Sequence, residues 1–561
     1  MNKPPGLTID ARLSSIRVTL IKFTEGGKLL STTYTDGKAV TEALIRNILE
    51  TRYEDIDKET VDHTKRRILD MIGCIIGGAR CDGSEGLAGL AGSWSGKTES
   101  RVLGYGYKGP AHDVALVNAI FGRSFDWGPL TLVIEGDGKP GTIYVDGKPL
   151  RRFANHITET TIPTALATGE SKGITGKELI TAIIAGDDLA CRLHIANDRT
   201  PPGQAPSPDM PPAAPSRGSS TTLGSTAVAG RILGLNSDQL RAAFGLSMFM
   251  GGGGGGGGMG MMGARAAAPQ PSTPKKTETT SSQAANPGWL GVNDPYFKEQ
   301  VARGGYEEHV GTKMSNGIEA RNSINAAQLA AAGWPGVREP LFDERGGFYP
   351  SLQACNRAER ITDNLGKKFI VEQVFKPWPG GRPTSAPTEA ALIISKRHNI
   401  NTDDIDEVIL HLTPAAAAVH YSKPYIIGDY PPMNALWSFY YAVAGSLFRK
   451  ASDNNNFVEK NIRDPKLQAL IKKVKLADLD KDEGIELEVR MKDGQVYTEY
   501  VPRPLGEPYR PFPREALLAK FMDQVRFSGL VDEGHAEKVI AMVEDLESVD
   551  DINRITELAV Q

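Results

Sequence analysis

The sequence of 561 residues predicts a mainly α-helical protein with a smaller α+β unit. Three observations support this. Helical apolar periodicity dominates the first 370 residues, strand-like alternation appears near 406 and over 485–501, and helical periodicity returns over 514–546. A chain of this length exceeds one ordinary hydrophobic core, so two or three domains are expected. We therefore expect a discontinuous helical domain and a smaller α+β lid domain.

Composition excludes several classes of function. The chain is 40% hydrophobic and 24% charged with a formal net charge of −4, so no basic excess attracts nucleic acid or an anionic membrane. No apolar run approaches the roughly 20 residues of a membrane span, and the N-terminus has no signal-like apolar region. The cysteines form neither a disulfide framework nor a metal-binding pair; they are Cys74, Cys81, Cys191 and Cys355. We expect a soluble cytoplasmic protein without a protein-built metal site.

Two β-hairpins are predicted around the first helices. Residues 15–35 contain two strand-like runs around Gly26-Gly27, so residues 1–38 form an N-terminal extension. A helix follows over about 61–79, and another over about 112–125. A second hairpin is predicted over 131–145, within an insertion at 130–152 of the helical domain, which spans 39–370. We expect both hairpins at the periphery of the fold.

The stretch from Phe153 to Pro163 resembles a polar loop that leads into an apolar helix. Pro163 suits a first helical turn, and the threonines after His156 are candidate helix caps. A histidine before a helix N-terminus sits in a positive field, which favours its neutral form. His156 is therefore a candidate general base, and the alternative is a surface or capping histidine.

Residues 197–300 are of low complexity, apart from two predicted helices over 222–233 and 237–248. The run Gly251–Gly258 is not followed by Gly-Lys-Ser/Thr, so a flexible loop is favoured over a phosphate-binding loop.

The predicted lid spans 371–508, and the chain returns to the helical domain over 509–561. Strands are predicted over 406–413 and on both sides of an Asp-Gly turn at 493–494. Helices are predicted over 388–398, over 435–449, which includes Trp437 and Tyr441, and over 514–527 and 535–546.

Short motifs recur in a defined order from about Val40 to Glu547. They are Leu69-Asp-Met-Ile-Gly-Cys, Arg101-Val-Leu-Gly-Tyr-Gly, His156 seven residues before Pro163, Thr222-Leu-Gly-Ser, Gly317-Ile-Glu-Ala-Arg-Asn, Phe375-Lys-Pro-Trp-Pro, Ser438-Phe-Tyr-Tyr-Ala-Val-Ala and Pro504-Leu-Gly. This order resembles the MmgE/PrpD family, which contains 2-methylcitrate dehydratase and cis-aconitate decarboxylase. The resemblance implies a helical domain, an α+β lid, an active site between them that needs no metal or organic cofactor, and a homodimer.

Carried over by motif, the resemblance implies roles for Asp126, His156, Lys313, Lys376 and Tyr441. The sequence also departs from the family pattern. Trp127-Gly128-Pro129-Leu130 replaces the acids and threonine after the first aspartate, and no second histidine occurs over 211–220. Asn316 and Ser385 stand where the family has histidines.

The same residues suit removal of a proton next to a carboxylate, which needs a base and cations for the developing charge. His156 is the candidate base, Asp126 would orient it, and Tyr441 would donate a proton. The candidate carboxylate-binding residues are Lys313, Lys376, Arg321, Arg382 and, beside the last, Thr384. Each has a structural alternative, such as a solvated cation, a core tyrosine or a capping aspartate.

Three functions follow from these residues. The first is a cofactor-independent lyase that dehydrates or decarboxylates a small di- or tricarboxylate. The second is an isomerase or epimerase that uses the same proton abstraction. The third is a catalytically lapsed protein with a binding or assembly role. Convergence of His156, Lys376 and Tyr441 around one cavity would favour an enzyme.

Overall fold

The computed structural model is mostly helical with a small mixed sheet in the C-terminal region, which confirms the predicted fold class. It describes residues 36–94, 96–135, 143–145, 148–196, 219–250, 311–344, 346–349, 355, 358–371, 373–417, 420–481, 483–507 and 510–560. The hairpin predicted over 15–35 and the glycine run lie outside the described residues.

The N-terminal part is built from helices that pack on one another. They are α1 (Gly37–Glu50), α2 (Lys58–Gly78), α3 (Ser84–Ser93), α4 (Ala111–Arg123), α5 (Thr158–Lys172), α6 (Gly176–Ala196), α7 (Ser220–Ile232), α8 (Ser237–Met250) and α9 (Gly311–Ala331). Helices α5 and α9 contact each other and both contact α4 and α7, and α2 packs on α4. Nearly every residue of α5 is buried, because small and apolar side chains surround its axis. This bundle is the support for the site described below.

Strands β1 (Ser100–Arg101) and β2 (Lys108–Gly109) form a small ladder, and a second sheet follows α4. The second sheet contains β3 (Leu130–Glu135), β4 (Ile143–Val145), β5 (Lys148–Asn155) and β6 (Gln373–Val374), in the order β4-β5-β3-β6. The predicted pairing within 131–145 is wrong, because the eight-residue β5 pairs with both β3 and the shorter β4. As a result β5 ends immediately before His156, which a strand positions instead of a loop.

The C-terminal region is organised around a four-stranded sheet. Its strands are β7 (Ile405–Leu412), β8 (Val474–Asp478), β9 (Ile485–Met491) and β10 (Val496–Val501), in the order β10-β9-β7-β8. Only β7 and β8 are parallel. Its helices are α10 (Glu359–Thr362), α11 (Ser385–Arg397), α12 (Pro414–Ala417), α13 (Pro431–Leu436), α14 (Phe439–Arg449), α15 (Glu459–Ile462) and α16 (Pro465–Ile471).

The helix predicted over 435–449 is interrupted at Trp437 and Ser438. The Ser438 hydroxyl caps α14 by accepting a hydrogen bond from the Tyr441 backbone N–H at 3.2 Å. Trp437 therefore lies between α13 and α14, outside both helices. In this position between the helices, the indole N–H donates to Asp126, which follows α4.

The chain ends in α17 (Arg514–Ser528), α18 (Glu533–Glu544) and α19 (Asn553–Leu558), and the first two pack on α2. Close approach of α17 depends on two glycines of α2. A Cβ at Gly73 would lie 2.9 Å from Phe521, and one at Gly77 would lie 2.9 Å from Gln524. The C-terminal helices therefore contact the N-terminal bundle directly. Within the described residues, no helix is long and apolar enough to cross a lipid bilayer.

We expect His63 to make the fold acid-sensitive. Burial, followed by the charges of Arg67 and Arg66, lowers the pKa of His63 to about 3. The unfolded chain takes up this proton below about pH 6.5 and the folded chain resists it, so stability falls as the pH drops from about 6.5 toward 3. The slope from this group is at most about 1.4 kcal/mol per pH unit. The Tm of His63→Gln should therefore fall less between pH 7.5 and pH 5 than that of the wild type; parallel falls would contradict this.

Candidate active site

Three segments distant in sequence meet at the site. They are the end of α4 at Arg123 to Asp126, the junction of β5 and α5 at His156 to Glu159, and Lys376 just after β6. The sheet pairing of β3 with both β5 and β6 brings the second and third segments together. Two of the predicted residues, His156 and Asp126, thus share a site with the predicted cation Lys376.

His156 lies beside a buried glutamate. Its Nδ1 is 2.8 Å from Glu159 Oε2, three residues later, while the side chain keeps 27% of its surface exposed and that of Glu159 has none. Partial burial and the charge of Arg123 lower the pKa of His156, against the opposing effect of Glu159. His156 is therefore a neutral imidazole at pH 7, with one nitrogen next to a carboxylate.

The entry into α5 differs from its prediction. The helix begins at Thr158 after Ile157, whose side chain forms no cap, and Pro163 lies inside the helix instead of in its first turn. Pro163 cannot donate to the backbone carbonyl of Glu159, four residues earlier. Because α5 starts earlier than predicted, Glu159 becomes helical and projects within reach of His156.

Asp126 connects the end of α4 with Lys376 and with Trp437. It is buried and adopts a left-handed backbone with a φ of 48°, which aspartate tolerates better than most residues. Its carboxylate accepts from Arg123 and Lys376 and, at 3.1 Å, from the Trp437 indole N–H. Lys376 Nζ also donates to the Asp126 carbonyl at 2.8 Å. Burial alone would raise the pKa of Asp126, but the charges of Arg123 and Lys376 outweigh it and lower the pKa.

Arg123 lies between the two carboxylates. Its Nη1 contacts Asp126 and donates to Glu159 Oε1 at 3.3 Å, and its Nη2 lies 3.3 Å from His156 Nε2. Burial alone would lower the pKa of Arg123, but the negative charges of Asp126 and Glu159 outweigh burial and raise it. Two cations and two carboxylates thus balance around a neutral histidine.

Gly128 makes room for this arrangement. A Cβ at position 128 would lie 2.7 Å from Glu159 Oε1 and 3.0 Å from its Cγ. The departure from the family pattern after Asp126 therefore accommodates another acid, supplied by α5. The sequence signal that could have identified Glu159 was its position three residues after His156. No comparable sequence signal pointed to Arg123 or Trp437.

The acids and histidine also have metal-ligand chemistry. One donor atom from each of Asp126, His156 and Glu159 lies within 4.8 Å of the others. However, Arg123 and Lys376 already place positive charge on these carboxylates, so a divalent cation would compete with both. The charges favour an internally compensated network over a metal centre.

Lys313 lies near the start of α9, the helix whose Asn316 contacts the His156 backbone. Asn316, one helical turn later, donates to the His156 carbonyl at 3.3 Å and to Thr160 Oγ1 at 2.9 Å. Lys313 is 8% exposed, and its Nζ lies 3.6 Å from Cys81 Sγ and 5.7 Å from the centre of the Tyr430 ring. No carboxylate of the described residues lies within ion-pair distance of Lys313. The Asp82 carboxylate interacts with this charge without forming a direct ion pair, so an acidic ligand could pair with Lys313 directly.

The other predicted residues do not join the His156 cluster through their described contacts. The buried Tyr441 hydroxyl donates to the Asn456 carbonyl, and its ring packs against Phe457, which favours the core alternative for this residue. Arg321 is 43% exposed and pairs with Asp113 at 3.0 Å.

The candidate residues near the predicted start of the lid also make contacts within the protein. Arg382 pairs with the buried Glu507, and Thr384 donates to the Gly381 carbonyl at 2.8 Å. Lys376 is buried, and its ammonium serves Asp126 where a substrate carboxylate was expected. In this structure the three side chains therefore bind other groups of the protein, and direct substrate binding by them stays a prediction.

Comparison with known families agrees with the two-part architecture. A model of the MmgE/PrpD N-terminal domain matches residues 42–128 and 152–271, and a model of the MmgE/PrpD C-terminal domain matches residues 378–548. The chain belongs to the MmgE/PrpD family. The N-terminal match omits residues 129–151, which contain β3, β4 and the first half of β5. The family match thus identifies this sheet as an addition that nonetheless leads into His156.

One curated relative is human cis-aconitate decarboxylase. It is 23% identical over 313 residues, which cover 51% of this chain and 62% of the relative. The chain thus spans about three fifths of the length of that protein. Together with the family match, this similarity supports an enzyme of a lyase-like family.

Proposed function

We propose that the protein is a cofactor-independent lyase that acts on a small di- or tricarboxylate by proton abstraction next to a carboxylate. The observation that carries the proposal is the His156–Glu159 pair together with Lys313, which makes no direct ion pair with a described residue. Lys313 lies one turn from Asn316, which contacts the His156 backbone. The family match and the decarboxylase relative support the same class of reaction. A homodimer and a cytoplasmic location belong to this proposal.

His156 Nε2 is the proposed proton acceptor. Glu159 at Nδ1 would orient the ring and stabilise the imidazolium that forms, which is the role predicted for Asp126. Substrate must replace the contact between Arg123 Nη2 and Nε2. While substrate replaces this contact, Arg123 would stay paired with Asp126 through Nη1.

Lys313 and Arg123 are the proposed partners of the substrate's negative charge. Proton removal moves charge onto a carboxylate, and preorganised cations stabilise that charge more in the transition state than in the ground state. Lys313 suits this role because a thiol and an aromatic ring surround its ammonium. Lys376 and Asp126 would maintain the geometry of Arg123.

One contact favours a binding or assembly role as the second candidate. Arg123 occupies the nitrogen of His156 that would accept a proton, and a lapsed protein would retain this contact permanently. Binding of an acid without any turnover would support this candidate.

The test is a thermal-stability and turnover screen with citrate, 2-methylcitrate, cis-aconitate and tartrate. A ligand at about a hundred times its Kd should stabilise the fold by roughly 2.7 kcal/mol. Lys313→Met should weaken the binding of an active acid at least about tenfold, because a charge-assisted contact contributes about 1.5–3 kcal/mol. Lys177→Met is the matched control, since Lys177 also lies over a tyrosine ring, 4.9 Å from that of Tyr53. Equal affinities of both variants would remove Lys313 from the site.

A further inference from the structure

Lys520 of α17 lies beneath the site, and it is only 3% exposed. Its ammonium donates to the Trp127 carbonyl at 2.7 Å and to the Lys376 carbonyl at 3.1 Å. It also pairs with Asp70 of α2, 2.6 Å from Oδ1. The ammonium therefore donates to two backbone carbonyls and pairs with one buried carboxylate, and all three partners lie outside α17.

The two carbonyls belong to a reciprocal contact between distant segments. The Lys376 ammonium donates to the Asp126 carbonyl at 2.8 Å, and the Trp127 indole donates to the Lys376 carbonyl at 3.0 Å. Lys520 donates to one backbone carbonyl in each of the two segments, that of Trp127 and that of Lys376. A displacement of either backbone would therefore move the charges that surround Arg123.

Desolvation makes this arrangement costly unless every group is paired. Asp70 is 1% exposed and balances the Lys520 charge, and the Lys520 ammonium lies 5.1 Å from the centre of the Trp127 ring. A hydrophobic pair of similar volume often replaces a buried ion pair without loss of stability. Stability alone therefore does not require a lysine at position 520, whereas donation to two carbonyls does.

We propose that Lys520 is a positioning residue that joins the C-terminal helix to the catalytic network by holding the backbones of Trp127 and Lys376. The effect on turnover rests on the proposed function. The effect on the environment of His156 is independent of it, because Asp126 and Arg123 transmit the displacement to the imidazole.

The experiment compares Lys520→Met with the double variant Asp70→Asn/Lys520→Met. The single variant leaves a buried carboxylate without its cation and should lose thermal stability. The double variant should regain most of the wild-type Tm but retain a kcat at least about tenfold below wild type, with KM changed less than about threefold. Recovery of both Tm and kcat would overturn the proposal, because Lys520 would then serve only Asp70.

A second readout separates this proposal from the proposed function. In protein labelled with ¹³C-histidine and assigned with His156→Ala, the titration midpoint of His156 should differ between wild type and the double variant. The control Arg101→Met/Glu170→Gln changes a partly buried pair toward the far end of α5 and should leave the midpoint unchanged. If no acid is turned over, the proposed function fails, but the titration still decides the role of Lys520. An unshifted midpoint in the double variant would overturn it.

Discussion

Replacement of His156 with alanine should lower kcat/KM at least about a hundredfold and change the Tm little. A positioned general base contributes roughly 10² to 10⁴ in rate. The side chain is partly exposed, and its removal leaves Glu159 paired with Arg123, so no buried charge loses its last partner. Steady-state kinetics on the acid identified by the screen, together with thermal unfolding, measures both effects.

The variant Glu159→Gln separates the base from its orienting group. It keeps the shape of the side chain and removes the charge beside Nδ1, so kcat should fall while KM changes less. The exposed His398, which stacks on Tyr497 at a ring distance of 4.1 Å, provides the control as His398→Ala. Near-normal turnover of His156→Ala would exclude it from the mechanism.

Replacement of Asp126 with asparagine should destabilise the protein by about 3–5 kcal/mol, because buried cations then lose a shared carboxylate. Asparagine suits the test because it tolerates the left-handed backbone at this position, so backbone strain does not add to the effect. Lys376 is most affected, since Asp126 is its ion-pair partner among the described residues, whereas Arg123 retains Glu159. Denaturant unfolding at pH 7 measures the loss.

The matched control is an exposed ion pair. Arg526 and Glu533 pair at 2.9 Å with side chains 54% and 55% exposed, so Glu533→Gln should cost less than about 1 kcal/mol. An equally small loss for Asp126→Asn would show that solvent or rearrangement compensates the two cations. The Asp126 network would then not be a structural requirement of the site.

Local sequence predicted much of the fold. The apolar periodicity of α2 and α17 and the Asp-Gly turn between β9 and β10 depend on neighbouring residues, so the single sequence was sufficient for them. The strand β8 was missed, because its five residues pair in parallel with β7 and form no local turn. The pairing of β3 was wrong because strand choice depends on length and register across the sheet, which local alternation does not encode.

For the site, the sequence by itself determined the family motifs and the two residues Asp126 and His156. Only the tertiary structure decided their partners. Glu159 replaced Asp126 as the neighbour of Nδ1 because the helix start and Gly128 together place it there. Lys376 pairs with Asp126, which lies 250 residues away in the sequence. A titratable side chain acquires its role from the charges and solvent that the fold places around it, and those neighbours come from segments whose separation along the chain gives no local signal.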